Sequence, residues 1–270
     1  MRRPLRSSRF SLFVVYYWLV TFILFLPILL LIIFSFNDSV TLVFPLKGFT
    51  LEWYRQLFRN SELIESVRTS ILLGLGSSLV ATALGAMGAI AMVRFDFPGK
   101  SLFLSVAAMP LVIPYVILGV SLLIMFHQVG VPLSAWAAGL GHVVISIPYA
   151  LLVIASRLVG FPKNLEEAAM DLGCTYWGAL LRVTLPISLP ALIAAFLMCF
   201  TISFDEFAIA SFLVGTQPTL PVYLYSQLRF PTRLPLVVSM AAILMIGSMV
   251  MILLSEWLRR LGQTAPRVKP

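Results

Sequence analysis

The chain has 270 residues, of which 60% are hydrophobic and only 11% are charged, and its mean hydropathy is +1.00. Soluble domains are roughly half apolar and a quarter charged, so this composition excludes an ordinary soluble enzyme or binding domain and predicts a membrane protein. The formal net charge of +8 does not indicate nucleic-acid binding, because the basic residues stand in short clusters at the ends of apolar segments.

Six apolar segments are long enough to cross a bilayer as helices, since about 20 apolar helical residues span roughly 30 Å of hydrocarbon. These segments are residues 12–36, 67–93, 102–126, 133–156, 187–214 and 234–258. We therefore predict an all-α polytopic membrane protein with six transmembrane helices, in which one domain (12–258) separates a basic tail (1–11) from a second tail (259–270). The first segment is too long for a signal peptide and no Ala-x-Ala-like site follows it, so we expect it to be retained.

The distribution of basic residues predicts the orientation. Thirteen of the 19 Lys and Arg residues lie in the two tails and in the loops that follow the second and fourth segments. The other six lie in the loops on the opposite side. Because cytoplasmic loops carry the excess of Lys and Arg, we expect both termini and the loop 157–186 to be cytoplasmic.

The first loop contains a short amphipathic stretch at residues 49–58, where aromatic and charged residues alternate at helical spacing. Gly48 precedes this stretch, and Thr50 is a residue type that caps helices. We interpret this stretch as a short helix lying at the outer membrane face. It could instead be a contact surface for a partner that delivers a solute, and the two interpretations are compatible.

Small residues and prolines inside the apolar segments predict how these helices pack and bend. Ala81, Gly85 and Ala89 repeat at four-residue spacing, which lets two helices approach closely in lipid. Prolines interrupt helical hydrogen bonding and so favour kinks or open backbone. The prolines inside the third and fourth segments are Pro110, Pro114 and Pro148.

The loop 157–186 has the pattern of two short helices joined by a hinge. Asn164 is a good N-cap, and Glu167 stands three residues later, where its carboxylate could reach back to the start of the helix. Gly173 can adopt the positive φ that ends a helix. Thr175 is a second N-cap candidate, and Pro186 is a suitable start for the next segment.

The same loop reads Glu-Ala-Ala at 167–169, then Gly173, then Val183 and, one residue later, Leu185-Pro186. This spaced pattern resembles the ATPase-docking loop of ABC-importer permeases. The resemblance implies that the loop couples the membrane helices to a separate ATPase, and Glu166 adds a second charge at the positive helix start. The residues that we assign to coupling are Glu166, Glu167, Ala168, Ala169, Leu172, Gly173, Tyr176, Leu185 and Pro186.

The chain has no sequence of the form GxxxxGK[ST], so it carries no phosphate-binding loop of its own. We expect it to bind no cofactor and to catalyse no bond cleavage, and ATP and Mg²⁺ to be used by a partner ATPase. Cys174 and Cys199 form no CxxC or Cys/His cluster, which favours free thiols over a disulfide or a metal site.

Two adjacent acids interrupt the fifth apolar segment, in the sequence Ser203-Phe204-Asp205-Glu206-Phe207. Ionisable residues at membrane depth usually face a bundle interior or a water-filled cavity, and we assign these five residues to the solute pathway. Acids flanked by aromatic rings suit an organic cation. The alternatives are an ion pair or hydrogen bond inside the bundle, and exposure near the outer boundary. Successive helical residues diverge by about 100°, so we expect only one acid to face the pathway.

Further stretches narrow the resemblance. Residues 48–54 (GFTLEWY), the Glu-Ala-Ala loop, 203–207 (SFDEF), 210–215 (ASFLVG) and 219–221 (TLP) resemble the second permease subunit of spermidine/putrescine-type ABC importers. The resemblance covers nearly the whole chain. It implies a type I importer permease fold in the bacterial inner membrane, a second permease subunit, a dimer of ATPase subunits, an extracytoplasmic solute-binding protein, and transport by alternating access.

Three alternatives remain open at the level of the sequence. The same machinery could import another small solute, such as an amino acid derivative, an organophosphonate or an iron chelate. A secondary transporter driven by ions would need no ATPase. An intramembrane enzyme lacks support, because His127 and His142 do not have HExxH spacing.

Overall fold

The computed structural model describes residues 9–261, and this part of the chain is built from helices joined by short loops. The tails predicted at 1–11 and 259–270 fall almost entirely outside the described residues. Within the described residues the only β pairing is an isolated bridge between Asn37 and Phe49. The first six helices are α1 (Arg9–Phe34), α2 (Glu52–Leu57), α3 (Ser61–Arg94), α4 (Lys100–Ala108), α5 (Tyr115–Gln128) and α6 (Ala135–Val159).

Seven further helices complete the described chain. They are α7 (Asn164–Asp171), α8 (Tyr176–Ala179), α9 (Leu185–Ile187), α10 (Leu189–Phe204), α11 (Ala208–Leu213), α12 (Leu220–Gln227) and α13 (Leu234–Leu261). A π-helical turn, Leu180–Thr184, connects α8 to α9.

Four helical segments of the described chain are long and apolar enough to cross a membrane alone, and two bent pairs bring the number to six. The four are Leu12–Phe34, Ser61–Arg94, Ala135–Val159 and Pro231–Leu254. Each overlaps one of the predicted segments, which confirms the prediction of an all-α polytopic protein. The second of these membrane-spanning helices, α3, begins earlier than predicted, because the polar turn that opens with Ser61 and Glu62 is helical too.

The third predicted segment is a broken span and not one helix. Lys100–Leu111 and Tyr115–Gln128 meet at an angle of 103°. Pro110 lies in the short 3₁₀ turn that follows α4, and Pro114 immediately precedes α5. Each proline removes a backbone donor, which accounts for the position of the break. The helix α6, in contrast, runs through Pro148 without interruption.

The contacts of the described chain divide it into two compact units. The first comprises residues up to 60 together with 227–245. In this unit the Ser35 hydroxyl lies 2.7 Å from the Tyr54 hydroxyl, and Trp53 Nε1 donates to the Asn37 carbonyl at 2.9 Å. The hydroxyl of Ser239 donates to the Ser35 carbonyl at 3.0 Å. The bonds of Tyr54 and Trp53 connect α2, the short helix predicted from the aromatic stretch at 49–58, to the end of α1, and the bond of Ser239 connects α13 to the same place.

The second unit comprises residues 61–226 and those from 246 onwards, and α3, α6 and α10 form its centre. Ala81 and Ala89 are fully buried, and a Cβ atom placed on Gly85 would lie 2.5 Å from Ala150 Cβ. The small-residue stripe therefore brings the backbones of α3 and α6 into direct contact, as its spacing predicted.

A methyl group at residue 85 tests this contact. We expect Gly85→Ala to destabilise the protein by about 1–3 kcal/mol, because overpacking forces the two helices apart. The double variant Gly85→Ala/Ala150→Gly should recover only part of the loss, since the new Cβ would still lie 2.9 Å from the Leu151 N atom. Gly76→Ala is the matched control on α3, where a Cβ meets nothing within 4 Å. Thermal unfolding in detergent measures all three, and equal melting temperatures for the two single variants would contradict the prediction.

Candidate functional site

The loop between α6 and α10 folds into the two short helices and the hinge that its sequence predicts. Gly173 has φ of +90° and ends α7, and its N–H donates to the Met170 carbonyl at 2.9 Å. A Cβ at this residue would meet nothing within 4 Å, so the requirement for glycine comes from backbone conformation and not from space. Thr175 caps α8, since its hydroxyl accepts the Gly178 N–H at 3.1 Å.

The predicted start of the first short helix was wrong by one residue. Asn164 is already the first residue of α7, and Lys163, which precedes the helix, makes no side-chain capping bond. The backbone supplies the missing turn, because the N–H groups of Glu166 and Glu167 both donate to the Lys163 carbonyl. Asn164 is therefore not needed as a cap.

The predicted coupling residues have different environments. Glu167, Ala168, Leu172, Gly173 and Pro186 are exposed, Ala169, Tyr176 and Leu185 are half-buried, and Glu166 is buried. Leu172 is 89% exposed, which is unusual for a large apolar side chain beside a glycine hinge. Four of the predicted coupling residues are exposed on α7 and its hinge, and we call the surface that they form the docking face: Glu167, Ala168, Leu172 and Gly173.

Glu166 is held by a buried ion pair that the sequence did not reveal. Its Oε1 atom accepts from Arg94 Nε at 3.1 Å and from Arg94 Nη2 at 2.9 Å, and the side chains are only 7% and 4% exposed. The hydroxyl of Thr184 donates to the same oxygen at 2.5 Å. Arg94 and Glu166 are 72 residues apart, and no local pattern links them.

The second group of predicted site residues lies where the fifth apolar segment breaks. The helix α10 ends at Phe204 and α11 begins at Ala208. Glu206 is buried and caps α11, because its two carboxylate oxygens accept the N–H groups of Ile209 and Ala210, each at 2.9 Å. The carboxylate thus replaces the partners that the first turn of a helix lacks.

A buried polar chain continues from Glu206 into the helix bundle. His142 Nε2 lies 3.3 Å from Glu206 Oε2, an electrostatic contact outside hydrogen-bond geometry. On the other side of the ring, His142 Nδ1 lies 2.7 Å from the Ser203 hydroxyl, which in turn lies 2.9 Å from the Ser77 hydroxyl. These buried polar side chains connect α3, α6, α10 and the start of α11. The sequence analysis considered His142 only in setting aside an intramembrane enzyme, and it missed this role.

Asp205 is separated from this buried chain. It is exposed, and its two carboxylate oxygens accept from the Ser248 hydroxyl at 3.0 and 3.3 Å. No Lys, Arg or His among the residues described pairs with it. The flanking rings pack elsewhere, Phe204 on Phe200 and Phe207 on Tyr225. The structure therefore separates the two acids, and the solute-pathway role of residues 203–207 stays a prediction.

The apolar helices, two of them broken, and the hinged loop anchored against them define a polytopic transport component. The chain belongs to the family of binding-protein-dependent transport system inner membrane components, whose family model matches residues 81–261. Multi-pass insertion in the inner membrane and a role in transport, not enzymatic catalysis, follow from this membership.

Curated relatives match most of the chain. It is 34% identical over 255 residues to the spermidine/putrescine transport system permease protein PotC of Haemophilus influenzae, with 94% of this chain and 98% of that protein covered. It is 38% identical over 217 residues to the putrescine transport system permease protein PotI of Escherichia coli (strain K12), with 76% of each chain covered.

A solved structure has the same fold. A chain in the crystal structure of a bacterial alginate ABC transporter, in complex with an alginate pentasaccharide-bound periplasmic protein, aligns with a TM-score of 0.71. The alignment covers 98% of this chain and 100% of that chain at 16% identity, so it bears on the fold alone. It confirms the predicted ABC-importer permease fold.

Proposed function

We propose that this chain is a permease subunit of an ATP-driven importer for polyamines such as spermidine and putrescine. The observation that carries the proposal is the docking loop: a hinged helix anchored by Glu166 and presenting the docking face outward. The named relatives support the cargo, because both carry putrescine or spermidine in their names. The acids near residue 205 support it independently, since a polyamine is an organic cation.

The proposed orientation has both termini and the loop 157–186 in the cytoplasm. Its support is the excess of Lys and Arg on that side. In this orientation α7 faces the compartment that contains ATP. The motif at residues 167–169 then lies where a cytoplasmic ATPase can reach it.

The importer would contain several partners besides this chain. A cytoplasmic ATPase dimer binds ATP and Mg²⁺ and contacts the docking face, a second permease subunit completes the pathway, and an extracytoplasmic binding protein delivers the solute. Membership of a binding-protein-dependent family supports the last partner.

Transport would proceed by alternating access. Closure of the ATPase subunits displaces α7, and the short helix transmits this displacement as a rigid body. The membrane helices then open the pathway to the outside, accept the solute and reset after hydrolysis. In this scheme the exposed, cation-free carboxylate of Asp205 contacts the solute, and the buried Glu206 holds the break in the span.

Uptake by the assembled importer tests the cargo. Proteoliposomes that contain this chain with its permease and ATPase partners should accumulate radiolabelled spermidine or putrescine when ATP is inside and the binding protein is outside. Either polyamine in excess should compete with the other. Competition only by an unrelated solute would assign another cargo to the same machinery, and uptake under an ion gradient without the ATPase would contradict the proposal.

The two adjacent acids should respond differently to the loss of charge. We expect Asp205→Asn to lower polyamine uptake on the order of tenfold with unchanged thermal stability, because it removes a charge-assisted contact to the solute. Glu206→Gln should instead lower stability by about 1–3 kcal/mol, since one oxygen that caps α11 becomes a donor. Uptake assays and thermal unfolding separate these effects. Normal uptake by Asp205→Asn would show that Asp205 does not contact the solute and has only a structural role.

The hinge glycine should require its positive φ and not its small volume. A β-branched residue in the left-handed conformation is strained by about 1–2 kcal/mol, so we expect Gly173→Val to raise ATP hydrolysis per solute transported while membrane insertion stays intact. Gly173→Asn should retain most of the coupling, because Asn tolerates this conformation. Equal coupling ratios for the two variants would show that the φ of residue 173 does not matter.

A further inference from the structure

The C-terminal end of α3 holds both arms of the hinged loop. Arg94 pairs with Glu166 in α7, and its Nη1 atom also donates to the Leu158 carbonyl at the end of α6, at 3.4 Å. The next residue, Phe95, packs edge-on against Tyr176 in α8, with ring centroids 5.6 Å apart. The last residue of α3 and the residue that follows it therefore contact the helices on both sides of the Gly173 hinge.

The carboxylate of Glu166 joins a third element to these two. Thr184, whose hydroxyl donates to it, is buried and lies at the end of the π-helical turn that precedes α9. Phe161 covers the guanidinium of Arg94, which lies 5.6 Å from the ring centroid. A small cavity lined by Thr184 has a volume of about 10 Å³, which leaves room for about one water molecule to replace a lost partner.

We propose that Arg94, Glu166 and Thr184 form a rigid joint that fixes α7 to α3 and to the start of the fifth span, so that a displacement of α7 moves both. Arg94 and Thr184 are positioning residues, because they act through Glu166 and do not reach the docking face. The source of the displacement rests on the proposed function, but the rigidity of the joint does not.

The two adjacent glutamates of α7 differ in their contacts and therefore in the roles that we propose for them. Glu166 is directed inward and bonded three times at one oxygen, whereas Glu167 is exposed and free to contact a partner. Loss of one member of a buried ion pair leaves the other charge without compensation. The joint therefore holds α7 in one position while both charges are present, and this rigidity is what the transmission of a displacement requires.

Distance measurements on the purified chain test rigidity without any ATPase. Spin labels at Met87→Cys on α3 and Leu172→Cys beside the hinge use two exposed residues, in a Cys174→Ser background that leaves the fully buried Cys199 in place. We expect a narrow distance distribution in the parent and a broadened or split one in Glu166→Gln. Thr184→Val, nearly isosteric and more conservative, should broaden it less, and Thr184→Ser should restore it.

A matched control removes a charge without touching the joint. Asp96 is an exposed residue two positions beyond Arg94 and pairs with Lys100 at 3.0 Å. The hydrogen bond from Lys100 lowers the pKa of Asp96, so Asp96→Asn removes one negative charge from the same region at neutral pH. We expect its distance distribution to match that of the parent.

The assembled importer tests transmission. In proteoliposomes supplied with spermidine, Glu166→Gln and Thr184→Val should still hydrolyse ATP, but spermidine transported per ATP should fall, on the order of tenfold for Glu166→Gln. A merely structural role would lower the amount of complex and leave this ratio unchanged, which would overturn the inference. Unbroadened distributions in both variants would also overturn it. If the parent complex transports no spermidine, the proposed function fails, and the distance measurements still decide the joint.

Discussion

Backbone polar groups inside a membrane must find partners within the protein, because hydrocarbon offers none. Two interruptions of the helices leave backbone groups that need such partners: the proline-containing turn between α4 and α5, and residues 205–207 between α10 and α11. At the second break the solution is visible: Glu206 accepts the first free N–H groups of α11, and His142 and Ser203 extend the polar chain into the bundle. An acid that would be costly in lipid is thereby part of the fold.

Both pairs of adjacent acids divide in the same way. Glu166 and Glu206 are buried and hold backbone or side-chain donors, whereas Glu167 and Asp205 are exposed. For Glu166 and Glu167 the offset of about 100° between successive helical residues explains this. Asp205 and Glu206 lie in the break between α10 and α11, where the cap on α11 directs Glu206 inward. One acid of each pair therefore stabilises the element that displays the other. A loss of function after substitution of the buried acid would not by itself identify a contact with a partner or a solute.

The sequence predicted elements that depend on local chemistry and missed those that depend on distant contacts. Hydropathy located all six spans, and the hinge at Gly173 and the cap at Thr175 followed from residue type. The acids at 205 and 206 marked an interruption of the fifth segment, but hydropathy could not show that the helix ends at Phe204, because the residues on both sides of the acids are equally apolar. The pairing of Arg94 with Glu166 depends on two helices meeting end to end, and nothing within one window of sequence encodes it.

The packing of α3, α6 and α10 connects these local features. Apolar contacts give helices little preference for one another in lipid, so close backbone approach and buried hydrogen bonds must determine their register. Gly85 allows the close backbone approach between α3 and α6. The buried hydrogen bonds from Ser77 through Ser203 to His142 connect α3, α10 and α6. Because α3 carries both Ser77 and Arg94, one helix is fixed in the bundle near its middle and bonded to α7 at its end. A helix held at both points can rotate or tilt only together with its neighbours, which makes α3 the element best suited to link the loop to the break in the fifth span.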